Sequence, residues 1–150
     1  MKYAHLVKLT VFSYENEPSG DILSAFLKFF PFNLEENKIA VKITGAAGFN
    51  ESKITVFEVT LAKGALINQF LDTLASKLEN DQKAIILDQI ESRLDKDLNF
   101  FVRFDKNTWM NEEKLVVTDS GKCFHLKISV AAFPKKREIA LNVVKQLFSK

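Results

Sequence analysis

The stretch FFVRFDKNTW, residues 100–109, places charged side chains within an aromatic run. Successive side chains of a β-strand point to opposite faces of a sheet, so this stretch has two different faces if it is a strand. One face is apolar and predicts burial, with Phe100, Val102 and Phe104. The other face carries the ring of Phe101 and the guanidinium of Arg103. The stretch therefore predicts a strand between a hydrophobic core and either a solvated edge or a surface that reads nucleic acid.

The segments on either side alternate between strand-like and helical patterns. Alternating or β-branched side chains predict further strands over about residues 5–13, 38–44, 53–61, 115–118 and 124–133. Apolar residues at helical spacing predict helices that begin at Ser19, Ala62, Asn80 and Pro134. The order β-α-β-β-α-α-β-β-β-α mixes hairpins with helices. It predicts a single α+β domain over residues 1–150, with helices covering a mainly antiparallel mixed sheet.

Length and composition fit this single domain. The chain has 150 residues, of which 47% are hydrophobic, and a domain of this size folds without a disulfide or a metal. Cys123 is the one cysteine, which excludes an internal disulfide and a cysteine-rich zinc site. The N-terminal residues lack the apolar core of a secretory signal, and no apolar run reaches the ~20 residues of a membrane span. We therefore expect a cytoplasmic protein with no membrane partner.

Basic charge is concentrated in the last third of the chain. The last 50 residues hold ten Lys or Arg and five Asp or Glu, whereas the first 100 hold eleven and fourteen. Such an asymmetry is compatible with a polyanion that docks on one end of the molecule. The sequence FVRF, residues 101–104, also matches the end of the RNA-recognition-motif signature, although the glycine and first aromatic residue of that signature are missing here.

A second basic segment is AAFPKKREIA, residues 131–140. Pro134 suits the first position of a helix, which would place Lys135, Lys136 and Arg137 in the first turn. Cations there oppose the helix dipole, and Phe133 at the cap position offers no side-chain acceptor to the free amides. A phosphate would accept from those amides and neutralise the cations. The alternative is that Glu138 and water are sufficient.

Catalytic chemistry has little support in the sequence. His5 and His125 both fall within predicted strands, and the chain contains no metalloprotease, serine-hydrolase or P-loop motif. The acidic pairs are too short and too isolated to specify a divalent ion. We therefore expect a protein that is not an enzyme and has no metal and no cofactor. An enzyme that acts on RNA through Asp105 and a metal remains a further alternative.

The two basic segments together resemble a family of small archaeal proteins described as predicted RNA-binding or exosome-associated proteins. The family pattern is an acidic turn, a strand ending in L-R-F-D-K, a hairpin, and A-Y-P-x-K-R-E at the start of the last helix. Residues 102–106 match the first motif, and Phe133, Pro134 and residues 136–138 match the second, with Phe in place of Tyr. In the first half, GAAGFNES, residues 45–52, predicts a loop with Ala46 and Ala47 where the family often has histidines.

This resemblance implies a fold similar to that of the large-subunit ribosomal protein that contacts 5S RNA. It also implies RNA as the partner, ribosomal or otherwise structured, and an accessory place in RNA processing or in the exosome or another protein complex. The predicted RNA contacts are one ring and five cations: Phe101, Arg103, Lys106, Lys135, Lys136 and Arg137. We expect these residues to form one basic surface that holds the RNA backbone while Phe101 stacks on a base.

Two alternatives to RNA binding remain open from the sequence. In one, the protein is an adaptor whose exposed phenylalanines and basic residues dock an acidic protein partner without contacting RNA. In the other, the motifs are structural, and Arg103 and Asp105 join the strand to the last helix, with Asp105 offered to Lys136 or Arg137.

Overall fold

A long strand at the centre of the sheet organises the fold. The computed structural model describes residues 1–48 and 52–150. Its strands are β1 (Ala4–Tyr14), β2 (Lys42–Ala47), β3 (Lys53–Leu61), β4 (Asn99–Asp105) and β5 (Cys123–Val130). Its helices are α1 (Ser19–Leu27), α2 (Gly64–Lys77), α3 (Asn80–Asp88), α4 (Ile90–Arg93), α5 (Lys106–Glu112) and α6 (Arg137–Phe148). The strands lie in the order β2-β3-β1-β5-β4, and every pair of neighbours among them is antiparallel.

The two faces of the sheet differ because the strands alternate apolar and polar side chains. On β1, Val7, Leu9 and Val11 are buried, whereas Lys8 and Thr10 between them are half-buried. The buried face packs against apolar stripes on α1, α2 and α6, which include Phe26, Phe70 and Val144. We call the opposite, solvent-facing side of the sheet the open face. The α+β prediction, with helices on an antiparallel sheet, is confirmed.

Aromatic rings fill the core between the sheet and the C-terminal end of α1. The ring of Phe29 lies 4.3 Å from that of Trp109, 4.9 Å from that of Phe124 and 6.2 Å from that of Phe104, measured between centroids. Trp109 also donates its indole N–H to the carbonyl oxygen of Ala25 at 2.8 Å. Because buried aromatic side chains contribute large apolar areas, this cluster holds β4 and α5 against α1.

The residues after β4 differ from the prediction. Helix α5 was not expected, and residues 115–118 form no strand but a single bridge, between Phe104 and Val117. The cause is the side chain of Asp105, which accepts from the backbone N–H of Thr108 at 2.9 Å and from its hydroxyl at 2.6 Å. This contact caps α5 and turns the chain away from the sheet directly after β4.

Other element boundaries also differ. The helix predicted from Asn80 is divided at Gln89, and β2 runs later than expected, to Ala47, so part of the predicted loop at residues 45–52 is strand. Asn50 of that loop lies outside the described residues. The last strand ends at Val130, and α6 begins at Arg137 and not at Pro134. In the described ranges, no helix combines the length and the apolar character that a membrane crossing requires.

Candidate nucleic-acid interface

The open face of β1, β5 and β4 places aromatic and basic side chains side by side. In the strand register, Arg103 lies beside His125, which lies beside Thr10 of β1. One row along, Phe101 lies beside Lys127, which lies beside Lys8. We call these side chains, together with the neighbouring ring on β1, the open-face patch: Lys8, Phe12, Phe101, Arg103, His125 and Lys127. A shallow depression of about 370 Å³ lies over it.

The rings of the open-face patch are available to solvent in part. Phe101 is 42% exposed, although phenylalanine is usually a core residue. The rings of Phe12 and His125 are 5.5 Å apart between centroids. Burial, followed by the nearby charges of Arg103 and Lys106, lowers the pKa of His125. The imidazole is therefore neutral at neutral pH and presents an uncharged ring to the open face.

The cations of the patch surround these rings. Lys8 makes an ion pair with Glu58 at 3.4 Å, and both side chains are partly exposed. Arg103 is exposed, and its Nη1 donates to the backbone oxygen of Asp119 at the long distance of 3.5 Å. Contacts of this kind between exposed groups are weak, so they leave the cations able to bind an anion. Flat rings beside partly exposed cations form the kind of surface on which single-stranded nucleic acid binds.

Lys106, in contrast, does not belong to this surface. Its side chain is 2% exposed, and its Nζ donates to the carbonyl oxygen of Phe12 at 2.6 Å and to Glu17 at 3.1 Å. Burial lowers the pKa of Lys106, and the hydrogen bond with Glu17 opposes that shift. The prediction of Lys106 as an RNA contact is wrong: its ammonium is buried between Glu17 and the carbonyl oxygen of Phe12.

The start of α6 also differs from the prediction. Lys136 N–H donates to the oxygen of Pro134 at 2.8 Å, so the chain turns before the helix, and Lys136 becomes its N-cap. Lys135 and Lys136 are exposed and precede the first helical turn. The predicted phosphate site in a first turn crowded with cations is therefore not formed, since the first turn holds Arg137 and the acidic Glu138.

Arg137 has a structural contact. Its Nη1 donates to the carbonyl oxygen of Leu94 at 3.0 Å and its Nη2 to that of Glu91 at 2.5 Å, with an ion pair to the Glu91 carboxylate at 3.6 Å. These contacts attach α6 to the C-terminal end of α4, where free carbonyl groups favour a cation.

The predicted basic residues belong to two regions of the chain, β4 and the segment after β5. Arg103 pairs with His125, whereas Ala131 lies six residues further along the chain, a distance of roughly 20 Å for an extended strand. Lys135 and Lys136 follow Ala131 by four and five residues in the chain. Asp105 caps α5, so the alternative in which it binds Lys136 or Arg137 is wrong.

Comparison with known proteins adds to this geometry. A protein family described as RNA binding matches residues 6–130 of the chain. The chain belongs to this RNA-binding family.

Individual relatives agree in length and fold. The RNA-binding protein PAB1135 of Pyrococcus abyssi is 24% identical over 144 residues, which cover 95% of this chain and 92% of that protein. The structure of protein AF2318 from Archaeoglobus fulgidus is similar with a TM-score of 0.84 and 23% identity, covering 96% of this chain and 99% of the other. The DUF54 protein Mth689 from Methanothermobacter thermautotrophicus has a TM-score of 0.78 and 23% identity, covering 97% and 98%. These structural likenesses establish the fold.

The segment that the RNA-binding family shares contains the whole open-face patch and ends before Lys135. The sequence analysis predicted Phe101 and Arg103 of this patch as RNA contacts and did not include Lys8, Phe12, His125 and Lys127. Each of these lies on a strand between two buried neighbours, and this alternation is the signal in the sequence that places it on the open face. What the sequence does not contain is the neighbour relation of β1 and β5, which are more than 100 residues apart and bring the four residues together.

The described residues offer no candidate metal site. In residues 1–48 and 52–150, no three His, Cys, Asp or Glu side chains are grouped so that they could hold a metal ion. Cys123 is buried, with its Sγ 3.5 Å from His125 Nε2, and burial raises the pKa of its thiol. A protonated, buried thiol is a poor nucleophile.

Proposed function

We propose that this protein binds single-stranded RNA on the open-face patch. The observation that supports this function is the register that places Phe101 beside Lys127 and Arg103 beside His125 on an uncovered antiparallel sheet. In this arrangement a base stacks on the ring of Phe101, and a neighbouring base stacks on Phe12 and the neutral His125. The cations hold the phosphates on either side.

A comparison of two variants can distinguish base stacking on Phe101 from a nonspecific contribution of any exposed aromatic ring to RNA affinity. Phe101→Ala should weaken RNA binding by about 1–3 kcal/mol, the range measured for one base on one aromatic side chain. Phe133→Ala is the matched control, because Phe133 is 88% exposed but lies outside the patch. Fluorescence anisotropy with a labelled single-stranded RNA measures both. Equal affinities of the two variants and the unmodified protein would contradict stacking on Phe101.

The phosphate contacts predict a salt dependence. Each phosphate neutralised on a single strand contributes about −0.7 to the slope of log affinity against log salt concentration. Replacing Arg103 and Lys127 together by alanine should make the slope shallower by about 1.4. The control replaces Lys114 and Lys145, which are exposed and lie outside the patch. A slope that changes equally in both double variants would indicate that only net charge matters.

Lys135 and Lys136 are proposed as a second, separate contact with the RNA backbone. Both are exposed, and both follow β5 at the end opposite to Arg103. An RNA long enough to reach both regions should lose affinity when the two lysines become alanine, whereas a short oligonucleotide confined to the patch should not. Unchanged binding of the long RNA would assign the lysines to another role.

A protein contact is the second candidate function, and Phe133 supports it. A phenylalanine that is 88% exposed, two residues before exposed lysines, fits an acidic protein surface with an apolar pocket. We propose that the protein is an accessory subunit of RNA-processing machinery of the exosome type and docks through this segment. Purified exosome should co-elute with the protein in size-exclusion chromatography and should fail to do so with the Phe133→Ala variant, while RNA binding by that variant persists.

A further inference from the structure

Beside the open-face patch, at the outer edge of β4, lies a polar pocket of about 320 Å³. We call it the Arg93 pocket, and it is lined by Gln89, Ser92, Arg93, Phe101, Arg103 and Asp119. Two of its six residues are arginines, in a chain that has three. Phe101 and Arg103 also line the depression over the open-face patch, so the pocket and the patch are contiguous.

Arg93 is held rigidly on the pocket wall. Its side chain is 9% exposed, its Nη1 donates to the carbonyl oxygen of Phe101 at 3.3 Å, and its Nη2 donates to the side-chain oxygen of Gln89. Its Nε is buried and has no hydrogen-bond partner within residues 1–48 and 52–150. A buried guanidinium is costly unless an anion is nearby, because burial disfavours its charge.

The anion present is a weak partner. The Asp119 carboxylate lies 3.4 Å from Arg93 Nη2, and its own side chain is 78% exposed. The second guanidinium, that of Arg103, reaches Asp119 only through the backbone oxygen, at 3.5 Å. Burial and, to a smaller extent, the charge of Arg103 lower the pKa of Arg93, and Asp119 opposes the shift. With two guanidiniums and one carboxylate, the pocket carries one net positive charge.

We propose that the Arg93 pocket binds one phosphodiester phosphate of RNA, next to the base that stacks on Phe101. Two guanidiniums supply several N–H donors to the oxygens of one phosphate, whose negative charge replaces that of the displaced carboxylate. The Asp119 carboxylate occupies the place of that phosphate in the free protein and moves outward into solvent when RNA binds. This inference rests on the proposed function and adds a defined phosphate position to it.

The first test removes the competing carboxylate. Asp119→Asn should bind single-stranded RNA about three- to fivefold more tightly, the effect of one weak exposed ion pair. Glu35→Gln changes the net charge equally at an exposed position in the loop between α1 and β2, and it should leave the affinity unchanged. If Asp119→Asn binds no better than Glu35→Gln, the pocket does not hold an RNA phosphate, although RNA binding that depends on Phe101 would still stand.

The second test uses dimethyl phosphate, a phosphodiester without a base. The Nε–H groups of the three arginines give separate signals in a nitrogen-15 NMR spectrum of the arginine side chains. Titration should shift the signals of Arg93 and Arg103 and leave that of Arg137, which is bound to α4, in place. Shifts of all three in parallel, or of none, would overturn the proposal. This result is independent of whether the protein binds RNA, so failure of the pocket and failure of the proposed function are distinguishable.

Discussion

At the scale of single residues, two basic side chains of the same short segment have opposite roles. Arg103 lies on the open face, and Lys106, three residues later, is buried against Glu17 and the carbonyl oxygen of Phe12. Burying a lysine without partners would cost several kcal/mol, and the hydrogen-bonded carboxylate and carbonyl offset that cost. Lys106 therefore contributes to stability, whereas Arg103 remains available to a ligand.

The ion pair of Lys106 predicts a pH-dependent stability. Burial alone would raise the pKa of Glu17, but hydrogen bonds from Tyr14 N–H and Lys106 and the charges of Lys106 and Lys122 lower it below its ordinary value of 4.5. A carboxyl whose pKa is lower in the folded state stabilises the fold above its unfolded pKa, and this contribution is lost as the pH falls through the folded pKa. Glu17→Gln should thus be destabilising by about 2–3 kcal/mol at neutral pH, because Lys106 loses its buried partner.

Urea unfolding measures this difference at neutral pH and again near pH 3. The difference between the unmodified protein and Glu17→Gln should shrink in acid, because below the ordinary pKa of 4.5 the unfolded state binds a proton more readily than the folded state does. Lys122→Met is the control: Lys122 is more exposed and lies 3.5 Å from Glu17, so its removal should cost little. A difference that is the same at both pH values would show that the Glu17 charge does not stabilise the fold.

At the scale of elements, the cap of α5 determines the path of the chain after β4. Asp105 continues the alternation of β4, and its side chain nevertheless binds forward to Thr108. That turn brings Trp109 into the core against Phe29 and Ala25. The sequence analysis offered two other roles for Asp105, a contact with the last helix and a metal ligand. Both would require its carboxylate to point away from α5.

Substitution of the cap residue tests this assignment. Asp105→Ala should destabilise the protein by about 1–2 kcal/mol, because the first turn of α5 loses its side-chain acceptor, while Asp105→Asn should cost only a few tenths, since asparagine caps as well. Trp109, the one tryptophan, reports the unfolding transition by fluorescence. Equal destabilisation by both variants would mean that the negative charge, and not the cap, is what matters.

At the scale of the whole molecule, the arrangement of layers predicts which kind of RNA the proposed site binds. Apolar stripes of α1, α2 and α6 pack on one side of the sheet, so the strand residues on the other side remain partly accessible. A sheet surface with rings receives bases that are unpaired and splayed out, whereas the bases of a duplex are stacked inside it and cannot reach Phe101.

This geometry predicts a preference among RNA forms. A single-stranded RNA should bind more tightly than a duplex of the same sequence, and a structured RNA should bind through its loops. Anisotropy titrations of the three forms at one salt concentration measure the preference. Equal affinity for strand and duplex would show that binding uses phosphates alone, and in that case Phe101→Ala should have no effect either.

Local patterns were sufficient to predict most of the elements and two residues of the candidate site. Alternation along β1, β3, β4 and β5 and the apolar stripes of the helices indicated the α+β class, and alternation placed Phe101 and Arg103 on a solvent face. The sequence also contains a signal for α5, because Asp105 stands three residues before Thr108 and can cap a helix that begins between them. A short capped helix is, however, hard to distinguish from the end of a strand by sequence pattern alone.

The sequence by itself therefore determined most of the strands and helices and which strand faces are apolar, because those properties repeat over a few residues. Only the tertiary structure decided that β1 lies beside β5, that Lys106 turns inward, and that Arg93 meets Asp119, 26 residues away. The physical reason is the distance along the chain over which each property is determined. Periodicity reflects which side of one element is buried, whereas strand order and side-chain partners depend on how distant elements pack together, and that packing is a property of the whole chain.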